Sequence, residues 1–108
     1  ATRLARARDA LNHYATDAYH AALIKKTQHA ITLDYAGLSD APAETRLRVL
    51  LLAVAEIIPA DGGYGPRREK IEELAESLFS TGPFRRQTLG GCVFSRDAHI
   101  MIEREQTA

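Results

Sequence analysis

Four prolines, Pro42, Pro59, Pro66 and Pro83, set the limits on what this chain can fold into. Proline has no N–H to give an interior helical turn, and it forces the residue before it towards extended backbone. It suits the first turn of a helix, where that N–H has no partner anyway. The four positions therefore predict one helix opening at Pro42 and stopped by Pro59, and another opening at Pro66 and ended by Gly82-Pro83. Between Pro42 and Pro59, Leu47, Leu50, Leu51, Val54, Ala55 and Ile58 recur at helical spacing. Val49, Leu52 and Ile57 widen that apolar face, so the helix from about Ala43 to Ile58 belongs at the centre of the core. Glu44 puts negative charge in its first turn, where the helix dipole favours it. Between Pro66 and about Ser80, Ile71, Leu74, Ala75, Leu78 and Phe79 line one face. Glu69, Glu72, Glu73 and Glu76 make the wet one. The intervening Pro59–Pro66 segment, with Gly62-Gly63-Tyr64-Gly65, reads as a loop.

The ends of the chain follow different rules. From Thr2 to about Ala30 there is no Gly or Pro, and Leu4, Ala7, Leu11, Tyr14, Ala15, Ala18 and Ala22 form a thin, alanine-rich stripe. This predicts one long amphipathic helix that packs closely on a neighbour and is marginal alone. Ile31–Tyr35 switches to β-branched and aromatic residues with period two, as a short strand does. Gly37, Ser39 and Asp40 make the turn before Pro42. Near the C-terminus, 90–95 and 100–103 read as the arms of a β-hairpin around Arg96–His99. An isolated hairpin is barely stable in water, so it must pack on the helices or pair with Ile31–Tyr35. The expected fold is a single mainly α domain of the α+β class over residues 1–108. It has three principal helices, a C-terminal β-hairpin, and 31–35 available as a third short strand. Glu105–Ala108 reads as a frayed end.

Composition narrows function only a little. The 108 residues are 45% hydrophobic and 26% charged, with 14 basic and 14 acidic side chains. Such a chain is globular, and it is no histone-like polycation. It has no apolar run of membrane-spanning length and no signal-peptide pattern. A single cysteine, Cys92, cannot form an internal disulfide, which fits a cytoplasmic location. The start at Ala1-Thr2-Arg3, without methionine, points to a piece of a longer protein.

No catalytic motif stands out. The glycine loop lacks the Lys-Ser/Thr pair and preceding strand of a phosphate-binding P-loop. His13, Asp17 and His20 share a helix face, but the histidines lie roughly 10 Å apart along the axis, too far for one ion without another ligand. His29 and His99 have no motif around them. Cys92 has no identifiable base and reads as a small core residue. No catalytic, cofactor-binding or metal-binding residue is expected. Charge is more informative. Residues 1–30 carry five basic and two acidic groups (+3), 31–61 carry two and five (−3), and 62–108 carry seven of each. In the last third, Arg67, Arg68 and Lys70 cluster at a helix N-terminus, and Arg85-Arg86 follow its C-terminus. Free helix N–H groups and guanidinium forks suit phosphate, which makes these five the candidate nucleic-acid contacts. Arg85 and Arg86 are also placed to cap the helix's last carbonyls.

The order of features resembles a known family. Leu33-Asp34 is followed by Pro42 and the Arg46-Leu47-Arg48-Val49-Leu50-Leu51 run. Pro66-Arg67, Leu74 and Leu78 come next, then Leu89-Gly90-Gly91 in "TLGGCVFSR", and the close Ile100-Met101-Ile102-Glu103. This resembles the helical substrate-recognition domain that follows the catalytic PP-loop domain of tRNA(Ile)-lysidine synthetases, the MesJ-type cell-cycle proteins. The resemblance runs from about Ala30 to Glu105, and more loosely over the first helix. It implies a noncatalytic domain that holds tRNA for an ATP-dependent ligase converting the wobble cytidine to lysidine. The family's Ser-Gly-Gly-x-Asp-Ser nucleotide signature is absent from this stretch. ATP and Mg would belong to the missing N-terminal domain, itself an expected partner in the same chain. Apart from the resemblance, the alanine stripe of the first helix admits a second reading: a protein-interaction or homodimerisation module without a nucleic-acid role.

Overall fold

The computed structural model describes residues 3–58 and 67–105. The segment Pro59–Pro66, expected from the sequence to be a loop, falls outside that range, as do residues 1, 2 and 106–108. Four helices and five strands follow in the order α1 (Arg3–Ala22), β1 (Leu23–Lys26), β2 (Ala30–Asp34), α2 (Tyr35–Ser39), α3 (Ala43–Ile57), α4 (Arg68–Leu78), β3 (Gln87–Leu89), β4 (Cys92–Arg96) and β5 (His99–Arg104). The strands make one antiparallel sheet in the order β1-β2-β5-β4-β3. The α+β class and the β4–β5 hairpin are as expected, and β2 is the third strand, paired with β5 from Ala30↔Glu103 to Asp34↔His99.

The helices cover one face of the sheet. Ile31, Leu33, Cys92, Phe94, Ile100 and Ile102 point inward and are fully buried. Against them lie Val49, Leu50, Ala53 and Ile57 of α3, with Ile71, Leu74 and Leu78 of α4. Of the expected core, Leu51 is only half buried. The buried face of α3 is centred on Leu50, Ala53 and Ile57, so Ala55 is exposed. The α3 helix touches α1, α4, β2 and β5, which makes it the central element anticipated from its apolar width. Ile58 closes α3 in extended backbone (φ −123°, ψ 94°), as the following proline requires. Pro42 sits one place earlier than expected, as the N-cap of α3, and its carbonyl accepts the Arg46 N–H at 3.0 Å.

Two expectations are corrected. The first helix does not reach Ala30; it ends at Ala22, and β1 takes over at Leu23. Thr27 makes the reversal. Its N–H donates to the Ala30 carbonyl (2.8 Å), and its hydroxyl oxygen accepts the N–H groups of His29 (3.2 Å) and Ala30 (3.0 Å). A threonine side chain thus supplies the turn without Gly or Pro. The stripe is also shorter than expected. Ala15, Tyr19 and Ala22 are buried, whereas Leu4 is 78% and Tyr14 65% exposed. The second correction concerns Gly90-Gly91, which do not begin a strand. They form the two-residue turn between β3 and β4, at φ 61° and 80°, where L-residues are strained. Smaller shifts occur as well. Tyr35 opens α2 rather than ending the strand, and Gly37 and Ser39 lie inside that short helix.

Candidate nucleic-acid interface

Of the five candidate residues, Arg68 and Lys70 lie in the first turn of α4, whose 11 residues span roughly 16 Å, Arg67 precedes it, and Arg85 and Arg86 follow it. Arg67 is its N-cap, in extended backbone, with its carbonyl accepting the N–H groups of Lys70 and Ile71 at 3.0 Å. Its side chain is exposed. Arg68 is differently placed. Its Nη2 donates to both carboxylate oxygens of Glu44 (2.9 and 3.2 Å), and its Nε donates to Glu72 at 2.7 Å. Glu72, then Glu44, hold the guanidinium pKa above its ordinary value. Glu44 also accepts from Arg48 Nε (3.2 Å), and Arg48 reaches Asn12 of α1 at 2.5 Å. Arg68 is therefore one link in a polar chain tying α4 to α3 and α1. Lys70 lies 4.0 Å from Glu73.

Arg85 and Arg86 lie in the segment entering β3, and both are exposed. Among the described residues, neither they nor Arg67 have a carboxylate within 4 Å. Arg85 borders an open cleft shared with Glu76, Ser77, Phe84 and Gln87. Neither arginine caps α4. That role belongs to Arg96, at the end of β4, whose guanidinium donates to the carbonyls of Leu78, Ser80 (2.9 Å) and Gly82.

The sequence places Arg96 in the hairpin turn and gives it no role; in the fold it ends β4. It lies 4.7 Å above the Tyr35 ring and 6.0 Å above Phe84. Tyr35 stacks on Phe79 (6.0 Å between centroids, 15° between planes), and Arg46 covers Phe79 at 5.0 Å. The Tyr35 hydroxyl donates to the Ser80 carbonyl at 2.9 Å, and Arg46 donates to that of Ser39 at 3.1 Å. A ladder of alternating cations and rings thus fixes where the chain leaves α4, and so where Arg85 and Arg86 are presented. Residues 35, 46, 79, 84 and 96 share no local pattern. Only the fold joins them.

The remaining sequence candidates separate cleanly. The glycine-rich loop at 62–65 lies outside the described residues. His13 Nε2 is 3.3 Å from Asp17, both exposed, while the His20 ring lies against Tyr19. Among the described residues, no group of three His, Cys, Asp or Glu is placed to hold a metal ion. Cys92 is fully buried, and burial raises its thiol pKa against a smaller opposing effect of Arg104, the reverse of an activated nucleophile. None of the helices among the described residues is long and apolar enough to cross a membrane.

No protein-family model matches the chain, and no characterised protein or solved structure matches it.

Proposed function

We propose that this domain holds tRNA, as the substrate-recognition domain of a tRNA(Ile)-lysidine synthetase. In this reading a catalytic domain elsewhere in the parent chain uses ATP and Mg to join lysine to the wobble cytidine. The present domain positions the RNA and makes no bond itself. The observation that carries the proposal is the presentation of Arg67, Arg85 and Arg86. Arg67 is exposed at the N-terminus of α4, and Arg85 and Arg86 are exposed in the segment that leads from α4 into β3, all three without a carboxylate within 4 Å among the described residues. Guanidinium groups in that condition suit phosphate oxygens, and phosphate contacts fix the register of an RNA without reading its bases. The family resemblance in "TLGGCVFSR" and the elements before it supports the choice of RNA and of this enzyme class.

The five candidates then divide by role. Arg67, Arg85 and Arg86 contact phosphate. Arg68 braces the helix through Glu44 and Glu72, and Lys70 adds positive charge nearby. With no net charge, affinity in isolation is weak and salt-sensitive. A gel-shift titration of the purified domain with an isoleucine-tRNA transcript at low salt tests the proposal. Binding that fades as salt is raised is expected; absence of binding at low salt would sink it. Lysine and ATP added to this domain alone should give no lysidine.

The homodimer reading keeps one favourable feature, the exposed Leu4 and Tyr14 on α1. The alanine part of the stripe does not support it, because Ala15, Ala18 and Ala22 pack within the domain's own core. Sedimentation of the free domain distinguishes the two, since a tight dimer indifferent to RNA would favour the interaction module.

A further inference from the structure

The chain has no net charge, and its one local excess of basic groups does not lie around α4. Residues 67–105 contain seven basic and seven acidic side chains, whereas residues 1–30 contain five and two. Part of that surplus reaches the β1–β2 turn, at the edge of the sheet away from β3. There Lys26, Thr27, Gln28 and His29 border an open cleft with Arg104, brought in from the far end of the chain, and with Glu56 and Ile57 of α3.

The cleft is held in shape from both sides. Thr27 pins the turn through its N–H and its hydroxyl oxygen, as described above. The Arg104 N–H donates to the His29 carbonyl at 2.7 Å, which fixes the end of β5 against the turn. Glu56 does not offset the whole positive charge. Its Oε2 takes the Tyr19 hydroxyl at 2.5 Å and Lys26 Nζ at 2.9 Å, so the carboxylate is already engaged by two donors. The Arg104 guanidinium has no carboxylate within 4 Å among the described residues. An arginine, a histidine, a glutamine and a lysine, from the β1–β2 turn and from the end of β5, thus line one pre-formed cleft. Such a donor set recognises a phosphate group.

We infer that the cleft formed by Lys26, Gln28, His29 and Arg104 is a phosphate-binding site, separate from the α4 arginines. The ligand's shared chemistry is a phosphate monoester or diester, carried by a free nucleotide or by an RNA backbone. The inference does not require the tRNA reading. If that reading holds, the cleft gives the RNA a second backbone contact on the opposite side of the domain from Arg85 and Arg86.

Amide NMR of the 108-residue chain tests it, titrated separately with inorganic phosphate and with a short RNA hairpin. Inorganic phosphate should move the amides of residues 26–29 and 104 saturably. Arg104→Gln should weaken that binding on the order of tenfold, while Arg8→Gln, an exposed arginine of α1, leaves it unchanged. The Arg104 tie to His29 is a backbone bond, so the variant should keep the parent's dispersed spectrum. His29→Ala, expected to weaken binding in the same direction, serves if it does not. Shifts with both ligands at this cleft would mark an RNA phosphodiester site. Shifts with phosphate alone would support the site for a free phosphate ligand and count against the tRNA reading. No saturable shift with phosphate at these amides, whatever the hairpin does, would overturn the inference. So would equal affinity in the parent and both cleft variants.

Discussion

Single side chains do much of the joining in this small domain, and Arg96 does the most. One guanidinium closes the carbonyls of Leu78, Ser80 and Gly82 and lies over Tyr35. Replacing it by methionine keeps the stem and removes the donors, so three carbonyls revert to water and the ring loses its cation. Arg96→Met should cost about 2 kcal/mol in urea unfolding. Arg96→Lys should recover only part of that, because an ammonium cannot serve three carbonyls from one planar fork. A loss within a few tenths of a kcal/mol would show that the ladder merely decorates the surface. Tyr19 and Glu56 make a second such junction. The Tyr19 hydroxyl, assisted by Lys26, holds the Glu56 carboxyl below its ordinary range in spite of some burial. Burial, and then Glu56, push the Tyr19 phenol upward. A carboxyl with a depressed folded pKa stabilises the fold fully above its unfolded value of about 4.5, and that contribution is lost as pH falls through the folded value. Tyr19→Phe should therefore flatten the acid limb of the stability–pH curve below about pH 5 and leave the remainder nearly parallel. Equal acid limbs for the variant and the parent would contradict the assigned hydrogen bond.

At the scale of elements, chemistry that acts locally was legible and chemistry that acts across the chain was not. The prolines placed α3 within one residue at each end, because a missing N–H and a fixed φ need no tertiary partner. The apolar period also identified Leu47, Leu50, Val54, Ile71, Leu74 and Leu78 as core. The β1 strand was missed because its turn depends on the Thr27 hydroxyl, which looks like any polar helical residue until the chain reverses. The β3 strand was missed because Gln87–Leu89 is only three residues long and earns strand geometry solely by pairing with β4. The turn between β3 and β4 offers the sharpest test at this scale. Gly91 has φ +80°, and a Cβ there would lie 2.6 Å from Ile58 Cδ1. Gly91→Ala should destabilise the domain by about 1–3 kcal/mol in thermal or urea unfolding. Adding Ile58→Val, which removes the obstructing methyl, should restore the steric part and leave the backbone part. An alanine variant as stable as the parent would mean that the turn is not held in this conformation.

Across the whole molecule, the arrangement of charge decides what the fold can do. Arg68 and Lys70, equal in sequence to their neighbours as phosphate contacts, face Glu44, Glu72 and Glu73 once folded. Arg67, Arg85 and Arg86 remain available to a ligand. The Arg68–Glu72 and Lys70–Glu73 pairs have the i,i+4 and i,i+3 spacing of helix neighbours, but Glu44 is 24 residues from Arg68 and only the packing of α4 on α3 brings them together. Arg68→Ala should accordingly lower the urea unfolding midpoint while leaving RNA affinity close to that of the parent. The central claim of the proposal is that this domain grips an RNA backbone through Arg67 at the start of α4 and through Arg85 and Arg86 before β3. It is tested most directly by measuring tRNA affinity as a function of salt for the parent domain and for Arg85→Ala/Arg86→Ala. The account predicts weaker binding for the variant at low salt, and a plot of log affinity against log salt that is shallower by about two, one unit for each lost phosphate contact. Superimposable salt titrations for the parent and the variant would contradict it.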